Sequence, residues 1–149
     1  MIASAMPDEQ LGLPLPLVKI DEPFFADLCE QDAPALLLFT NPATVAGTMR
    51  RFRQYADRAA CRSNVEVETI EGTFDLFMAG RAEEYAAVVS ARLLDAVRSR
   101  RYRSISVGQL SMVDAARQVA EQTGTRIGHP LDPLQHHLAG VLRRVTDTR

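Results

Sequence analysis

The segment SISVGQLSM, from Ser104 to Met112, decides the fold class. Its β-branched run SISV predicts a strand that stops at Gly108, and a helical pattern begins at Val113. A strand followed directly by a helix is the repeating unit of parallel α/β sheets, whose binding sites form where the strands end. Gln109 and Ser111 occupy this exit and are therefore candidate site residues.

The same alternation continues on both sides of this segment. The apolar run ALLLF, from Ala35 to Phe39, predicts a strand covered on both faces. VEVETI, from Val65 to Ile70, predicts a strand with one wet face, and RIGHP predicts a brief fourth strand. Helices are expected at residues 22–31, 42–60, 82–99, 113–123 and 132–145, with a short helical turn between residues 71 and 80. The sequence thus predicts α/β architecture: a single doubly wound parallel sheet of about four strands with flanking helices.

Length and composition favour one domain. The 149 residues are 46% hydrophobic, enough for a single core over residues 18–149, whereas the Pro-rich residues 1–17 are expected to form an extended arm. A net charge of −2 gives no case for nucleic acid or an acidic membrane surface as a partner. The arginines are nevertheless crowded, which indicates either solvated helix faces or a local anion-attracting patch. The two crowded groups are Arg50, Arg51, Arg53 and Arg58, and Arg98, Arg100, Arg101 and Arg103.

Targeting and cysteine patterns predict a cytoplasmic location. No apolar run approaches the length of about 18 residues that a membrane span needs. The first residues do not resemble a signal peptide. Cys29 and Cys61 are too few and too isolated for a disulfide framework or a zinc site, so both are expected to be reduced, structural thiols. No Gly-rich phosphate-binding motif follows any predicted strand.

Polar residues at the strand exits are the candidate binding residues, because helix starts there favour a small anion such as a carboxylate. The candidates are Thr40, Asn41, Thr44 and Thr48 after the first strand, Gln109 and Ser111 after the third, and His129 after the fourth. For Asn41 and Thr44 alone, helix capping is favoured over ligand binding. Gln109 is a poor cap and costly to bury unpaired, which leaves a role in a polar pocket open beside a structural one.

The histidines and Ser111 support no familiar catalytic or metal motif. His129, His136 and His137 lack the i, i+4 pairing of a helix-borne zinc site, so no metal is expected. His129 could act as an acid or base near neutral pH or be a hydrogen-bonded structural residue. Ser111 lies outside any G-x-S-x-G motif, which gives a serine hydrolase no support.

Five short segments, in order, resemble the second lobe of the aspartate/glutamate racemase superfamily over roughly residues 18–145. They are VKIDEP (18–23), TNPATVAGT (40–48), EGTFDLFMAG (71–80), VGQLSM (107–112) and GHPL (128–131). The chain is similar in particular to members that carry Gln at the strand exit where the racemases have a catalytic cysteine, here Gln109.

The resemblance implies a site shared between two lobes, in which two cysteines move a proton at an α-carbon without a cofactor. It implies that Thr40, Asn41, Thr44 and Thr48 line a carboxylate pocket and that Gln109 faces the reacting centre. The first lobe has no counterpart in the sequence. The Gln109 amide cannot replace a cysteine as acid or base, because it does not titrate.

Three hypotheses follow. In the first, two copies form a homodimer that rebuilds the shared cleft, binds a small carboxylic acid and racemises or isomerises it, with His129 as the only group near the cleft that titrates close to neutral pH. In the second, the chain is a non-catalytic module that binds a ligand or a partner protein. In the third, it is a truncated gene product that folds without a ligand.

Overall fold

The computed structural model describes residues 21–62, 64–133, 135–136 and 138–140. The arm expected at residues 1–17 and the end of the last predicted helix, residues 141–145, lie outside them. Residues 131–133, 135–136 and 138–140 are helical, as that prediction requires.

The centre of the molecule is a four-stranded parallel sheet. Its strands are β1 (Ala35–Phe39), β2 (Val65–Thr69), β3 (Ser104–Val107) and β4 (Ile127–Gly128), in the order β2-β1-β3-β4. All neighbouring pairs are parallel, with Leu38 opposite both Glu68 and Val107. The α/β fold class predicted from the alternation of strands and helices is confirmed.

Helices alternate with the strands and cover the sheet. They are α1 (Glu22–Glu30), α2 (Pro42–Arg58), α3 (Thr73–Met78), α4 (Ala82–Ser99) and α5 (Val113–Thr123), with a 3-10 turn at Leu110–Met112 before α5. The helical residues from position 131 onward follow β4. Asn41 starts α2 as its side chain accepts a hydrogen bond from the N–H of Ala43, and Gly124 ends α5 in the left-handed conformation.

The sheet separates two apolar layers, which explains why β1 is apolar at every position. Leu36 and Leu38 pack with α4 and α5 on one face, whereas Leu37 and Phe39 pack with α1 and α2 on the other. All four side chains are fully buried. Truncating any of them to Ala is expected to cost about 2–5 kcal/mol of stability, the usual range for large apolar side chains in a core.

β2 is an edge strand whose acidic residues face outward, as its alternating sequence predicts. Glu68 accepts two hydrogen bonds from Arg92 of α4 at 2.7 Å each, and Glu66 accepts one from the hydroxyl of Tyr102 at 2.6 Å. Arg92 holds the pKa of Glu68 below its usual range.

The expectation that both cysteines are reduced is wrong, because Cys29 and Cys61 form a disulfide. Packing of α1 against α2 brings the end of α1 beside the residues that follow α2, so the two Cα atoms lie 5.9 Å apart. That distance suits a disulfide. A pair of cysteines this far apart along the chain carries no pattern that predicts such a bond.

None of the helices within the described residues combines the length and the apolar content that crossing a bilayer demands.

Candidate functional site

The carboxyl ends of β1 and β3 meet at one edge of the sheet. The N–H of Gly108 donates to the carbonyl oxygen of Leu38 at 2.8 Å, which aligns the two exits. A Cβ at Gly108 would lie 2.6 Å from the ring of Phe39, so only glycine allows this approach. Gln109 is thereby placed beside Thr40.

The side chain of Gln109 joins the two exits. Its Oε1 accepts hydrogen bonds from the backbone N–H groups of Thr40 and Asn41, both at 2.8 Å. Its Nε2 donates to Thr40 Oγ1 at 3.1 Å and to Ser111 Oγ at 3.4 Å. The amide is thus satisfied at both ends, which accounts for a Gln in a position where it would be costly to leave unpaired.

The hydroxyl of Tyr85 completes this network from α4. It lies 2.9 Å from Thr40 Oγ1 and 2.8 Å from Ser111 Oγ, and Tyr85 is buried. The apolar spacing of α4 predicts Tyr85 only as part of its buried face. A single hydroxyl on that face is the signal that could have indicated a polar partner, since buried tyrosine hydroxyls usually find one.

A cleft of about 390 Å³ opens at this edge of the sheet, and we call it the exit cleft. Its lining includes five of the predicted binding residues: Asn41, Thr44, Thr48, Gln109 and Ser111. Thr40 is not among the lining residues, because it is buried with its hydroxyl bonded to Tyr85 and Gln109. The structure therefore brings five of the six residues predicted after the first and third strands to one cleft, and whether they bind a ligand there stays a prediction.

The charged groups of the exit cleft are not among the candidate binding residues that the strand exits predict, although Arg51 belongs to one of the two crowded groups of arginines. Arg51 of α2 lines it, with its Nε donating to Asp21 Oδ2 at 2.8 Å and its Nη2 lying 3.5 Å from Thr48 Oγ1. The Arg51 side chain is 43% exposed, so it remains open to the cleft. The crowding of arginines along α2 indicates either a solvated face or an anion-attracting patch. Position 51 is one turn from Thr48 and on the same side of the helix, so for Arg51 the spacing favours a place in the same cleft.

One wall of the exit cleft is apolar. Phe74 and Phe77 of α3 stack with ring centroids 5.4 Å apart, and Phe77 also contacts the ring of Tyr85. Phe77 and Leu110 are 42% and 62% exposed, and both line the cleft. A ligand here would meet a cation and hydroxyls on one side and apolar surface on the other.

His129 lies in a different cleft, of about 380 Å³, beside Arg117 and Asp132. Its Nδ1 accepts from the N–H groups of Leu131 and Asp132 at 3.2 and 3.4 Å, and its Nε2 lies 3.1 Å from Asp132 Oδ2. Burial lowers the pKa of His129 below 6.5, which favours the neutral ring that donates from Nε2. The structure does not bring His129 together with Gln109.

Asp132 holds this second cluster together. Arg117 Nη2 donates to Asp132 Oδ1 at 2.8 Å, and Arg117 keeps the pKa of that carboxyl below its usual range. The bonds from the N–H groups of residues 131 and 132 place His129 as a cap at the start of the last helical segment. A structural role accounts for its contacts.

In the part of the chain that the structure describes, no group of three or more His, Cys, Asp or Glu side chains is placed to hold a metal ion. Comparisons of the chain with models of protein families, with curated proteins and with solved structures give no match.

Proposed function

We propose that the protein binds a small carboxylic acid in the exit cleft. Arg51 carries the proposal, because it places a guanidinium in a concave site that also offers the hydroxyls of Thr44, Thr48 and Ser111. Guanidinium groups bind carboxylates through paired, charge-assisted hydrogen bonds.

The arrangement suits a ligand with a carboxylate at one end and a short carbon skeleton. Arg51 uses Nε on Asp21, and its remaining N–H groups can reach a ligand carboxylate. The hydroxyl of Thr44 makes no hydrogen bond within the described residues and can add one to the ligand. Phe77 and Leu110 would cover the carbon skeleton, which gives preference to ligands that carry apolar atoms.

Binding without proton transfer fits this chain better than catalysis does. Abstracting a proton from an α-carbon needs a titratable group against the ligand. The titratable side chains that line the exit cleft are Asp21 and Arg51, and they are paired with each other. Gln109 does not titrate, and its amide is occupied by the backbone of Thr40 and Asn41.

The second candidate is the racemase-like or isomerase-like homodimer that the family resemblance implies. Phe77, Met78 and Leu110 favour it, because these large apolar side chains are all exposed beside or at the rim of the exit cleft. A second copy packed there would cover them and enclose the ligand. It would also have to supply a titratable group that is free to take up a proton, because the titratable lining residues among those described, Asp21 and Arg51, are paired with each other.

A cytoplasmic location stays a prediction. The Cys29–Cys61 disulfide counts against it, since disulfides persist mainly in oxidising compartments.

Titration calorimetry with acetate, succinate and both enantiomers of aspartate and glutamate tests the proposal. We expect binding that Arg51→Gln weakens about tenfold or more, as loss of a charge-assisted pair would do. Arg53→Gln is the matched control, because Arg53 is exposed on the same helix and does not line the cleft. Absence of binding at millimolar ligand, or equal losses in both variants, would refute it.

The same ligands incubated in deuterated water separate the two candidates. Binding without deuterium at the α-carbon supports the non-catalytic module. Incorporation of deuterium, together with a dimer in light scattering, supports the racemase-like homodimer instead.

A further inference from the structure

A third cleft, of about 550 Å³, opens at the opposite edge of the sheet, where the strands begin. The end of α4, the start of β3 and the connection between α5 and β4 form its walls. We call it the basic cleft, because Arg98, Arg100 and Arg103 line it together with Tyr102, Thr123 and Thr125. Its lining contains no Asp or Glu among the described residues, and its size falls within the range of small-molecule sites.

These three arginines share one cleft and have no carboxylate partner within the described residues, and Arg50, Arg53, Arg62 and Arg101 also have none but lie outside this cleft. In the part of the chain that the structure describes, the arginines that form ion pairs with carboxylates are Arg51, Arg58, Arg81, Arg92, Arg117 and Arg126. Arg98, Arg100 and Arg103 form no ion pair within the described residues. In a chain with a net charge of −2, three guanidinium groups in one cleft, without an ion pair to any described carboxylate, create a local positive potential.

The backbone at Arg100 lies in the left-handed region, which Ala60 also adopts after α2. Arg100 ends α4 in the left-handed conformation, with φ of 57°. Glycine normally takes such positions, as Gly124 does at the end of α5, because a side chain there costs roughly 1 kcal/mol. The chain thus holds a charged side chain at a position that glycine would occupy with less strain, and this side chain lines the basic cleft.

We propose that the basic cleft binds a small anion with two linked phosphate groups, either inorganic pyrophosphate or the diphosphate portion of a nucleotide. Each guanidinium can donate two parallel hydrogen bonds to phosphate oxygens. Three guanidinium charges exceed the charge of about −1.5 to −2 that a single phosphate group carries near neutral pH, and a second, linked phosphate supplies the additional negative charge.

The surroundings argue for a compact anion and against a nucleic acid. Tyr102 borders the basic cleft, and its hydroxyl binds Glu66 on the adjoining surface. An extended polyanion leaving the cleft on that side would meet the carboxylate of Glu66, which has no arginine partner within the described residues, whereas a diphosphate stays among the arginines.

The test is calorimetric titration of the full chain at low salt with pyrophosphate, ADP and orthophosphate. We expect pyrophosphate to bind at least about tenfold more tightly than orthophosphate, with an affinity that falls as salt rises. ADP that binds more tightly than pyrophosphate would identify a nucleotide as the ligand, and equal affinities would identify the diphosphate alone.

Two triple variants locate the binding. Arg98→Gln/Arg100→Gln/Arg103→Gln should abolish pyrophosphate binding, while Arg50→Gln/Arg53→Gln/Arg62→Gln removes the same charge from exposed positions outside the basic cleft and should leave it unchanged. Should the first variant fail to fold, amide shifts of Val97, Ile105 and Thr125 in the wild-type protein report the same site. Equal losses in both variants, shifts elsewhere, or an oligonucleotide that binds when pyrophosphate does not would overturn the proposal.

Discussion

Replacing Gln109 with alanine tests whether this side chain holds the two strand exits together. The substitution removes the acceptor of two backbone N–H groups, those of Thr40 and Asn41. Thr40 is buried, so its N–H would be left without a partner away from water. Such a group costs about 1–3 kcal/mol. Asn41 borders the exit cleft, where water can reach its N–H, so its cost falls near the lower end of that range. Together they predict a loss of about 2–4 kcal/mol.

Urea denaturation followed by circular dichroism measures this loss as a lower midpoint with an unchanged slope. Gln122→Ala is the control, because Gln122 is exposed on α5. It should stay within about 0.5 kcal/mol of the wild type. Gln109→Glu should cost less than Gln109→Ala at neutral pH, since a carboxylate still accepts from both N–H groups and the hydroxyls of Thr40 and Ser111 can turn to donate to it. A Gln109→Ala variant as stable as the control would refute this account of the site.

Two further predictions concern the backbone and pH. Gly108→Ala should destabilise the protein by about 1–3 kcal/mol, because its Cβ would overlap the buried ring of Phe39. Gly47→Ala inside α2 should instead stabilise the protein by up to about 1 kcal/mol. Thermal unfolding of the two variants checks this contrast, and similar midpoints would contradict it. Because burial lowers the folded pKa of His129 below 6.5, the unfolded chain takes up this proton first, so stability is full above about pH 6.5 and falls as the pH drops through the folded pKa. Denaturation at about pH 7 and about pH 5.5 measures the stability that each protein loses between the two pH values. This loss should be smaller for His129→Asn than for the wild type or for the control His136→Gln, whose position is exposed. An equal loss in all three proteins would contradict the prediction.

The strands were predictable because the burial of each strand face determines whether the residues on that face are apolar or polar. β1 is covered by helices on both sides, so each of its positions is apolar, and its predicted and observed limits agree. The edge strand β2 instead alternates between apolar and acidic residues, because one of its faces stays in contact with water. The exits of β1 and β3 could be placed together because parallel strands end at the same edge of a sheet.

The partners of the site residues could not be predicted, because they depend on helix rotation and on contacts between distant parts of the chain. Val88 illustrates the first cause: the apolar spacing predicts it on the buried face of α4, but it is 38% exposed, and Ala96 is buried instead. Tyr85 reaches the site only through the rotation that α4 adopts on the sheet. Arg51 lies on the same side of α2 as Thr48, but its partner Asp21 is 30 residues away, and no local pattern encodes that pair.

The Cys29–Cys61 disulfide makes the form of the protein that is purified depend on whether a thiol reductant is present. It closes a loop that carries β1, the first exit and Arg51. Closing a loop of roughly thirty residues restricts the unfolded chain enough to add about 3–4 kcal/mol of stability. Protein purified with a thiol reductant would therefore lose the covalent link that closes the part of the chain carrying Arg51. Ligand screens therefore belong with the oxidised form, whose thiol content mass spectrometry can verify beforehand.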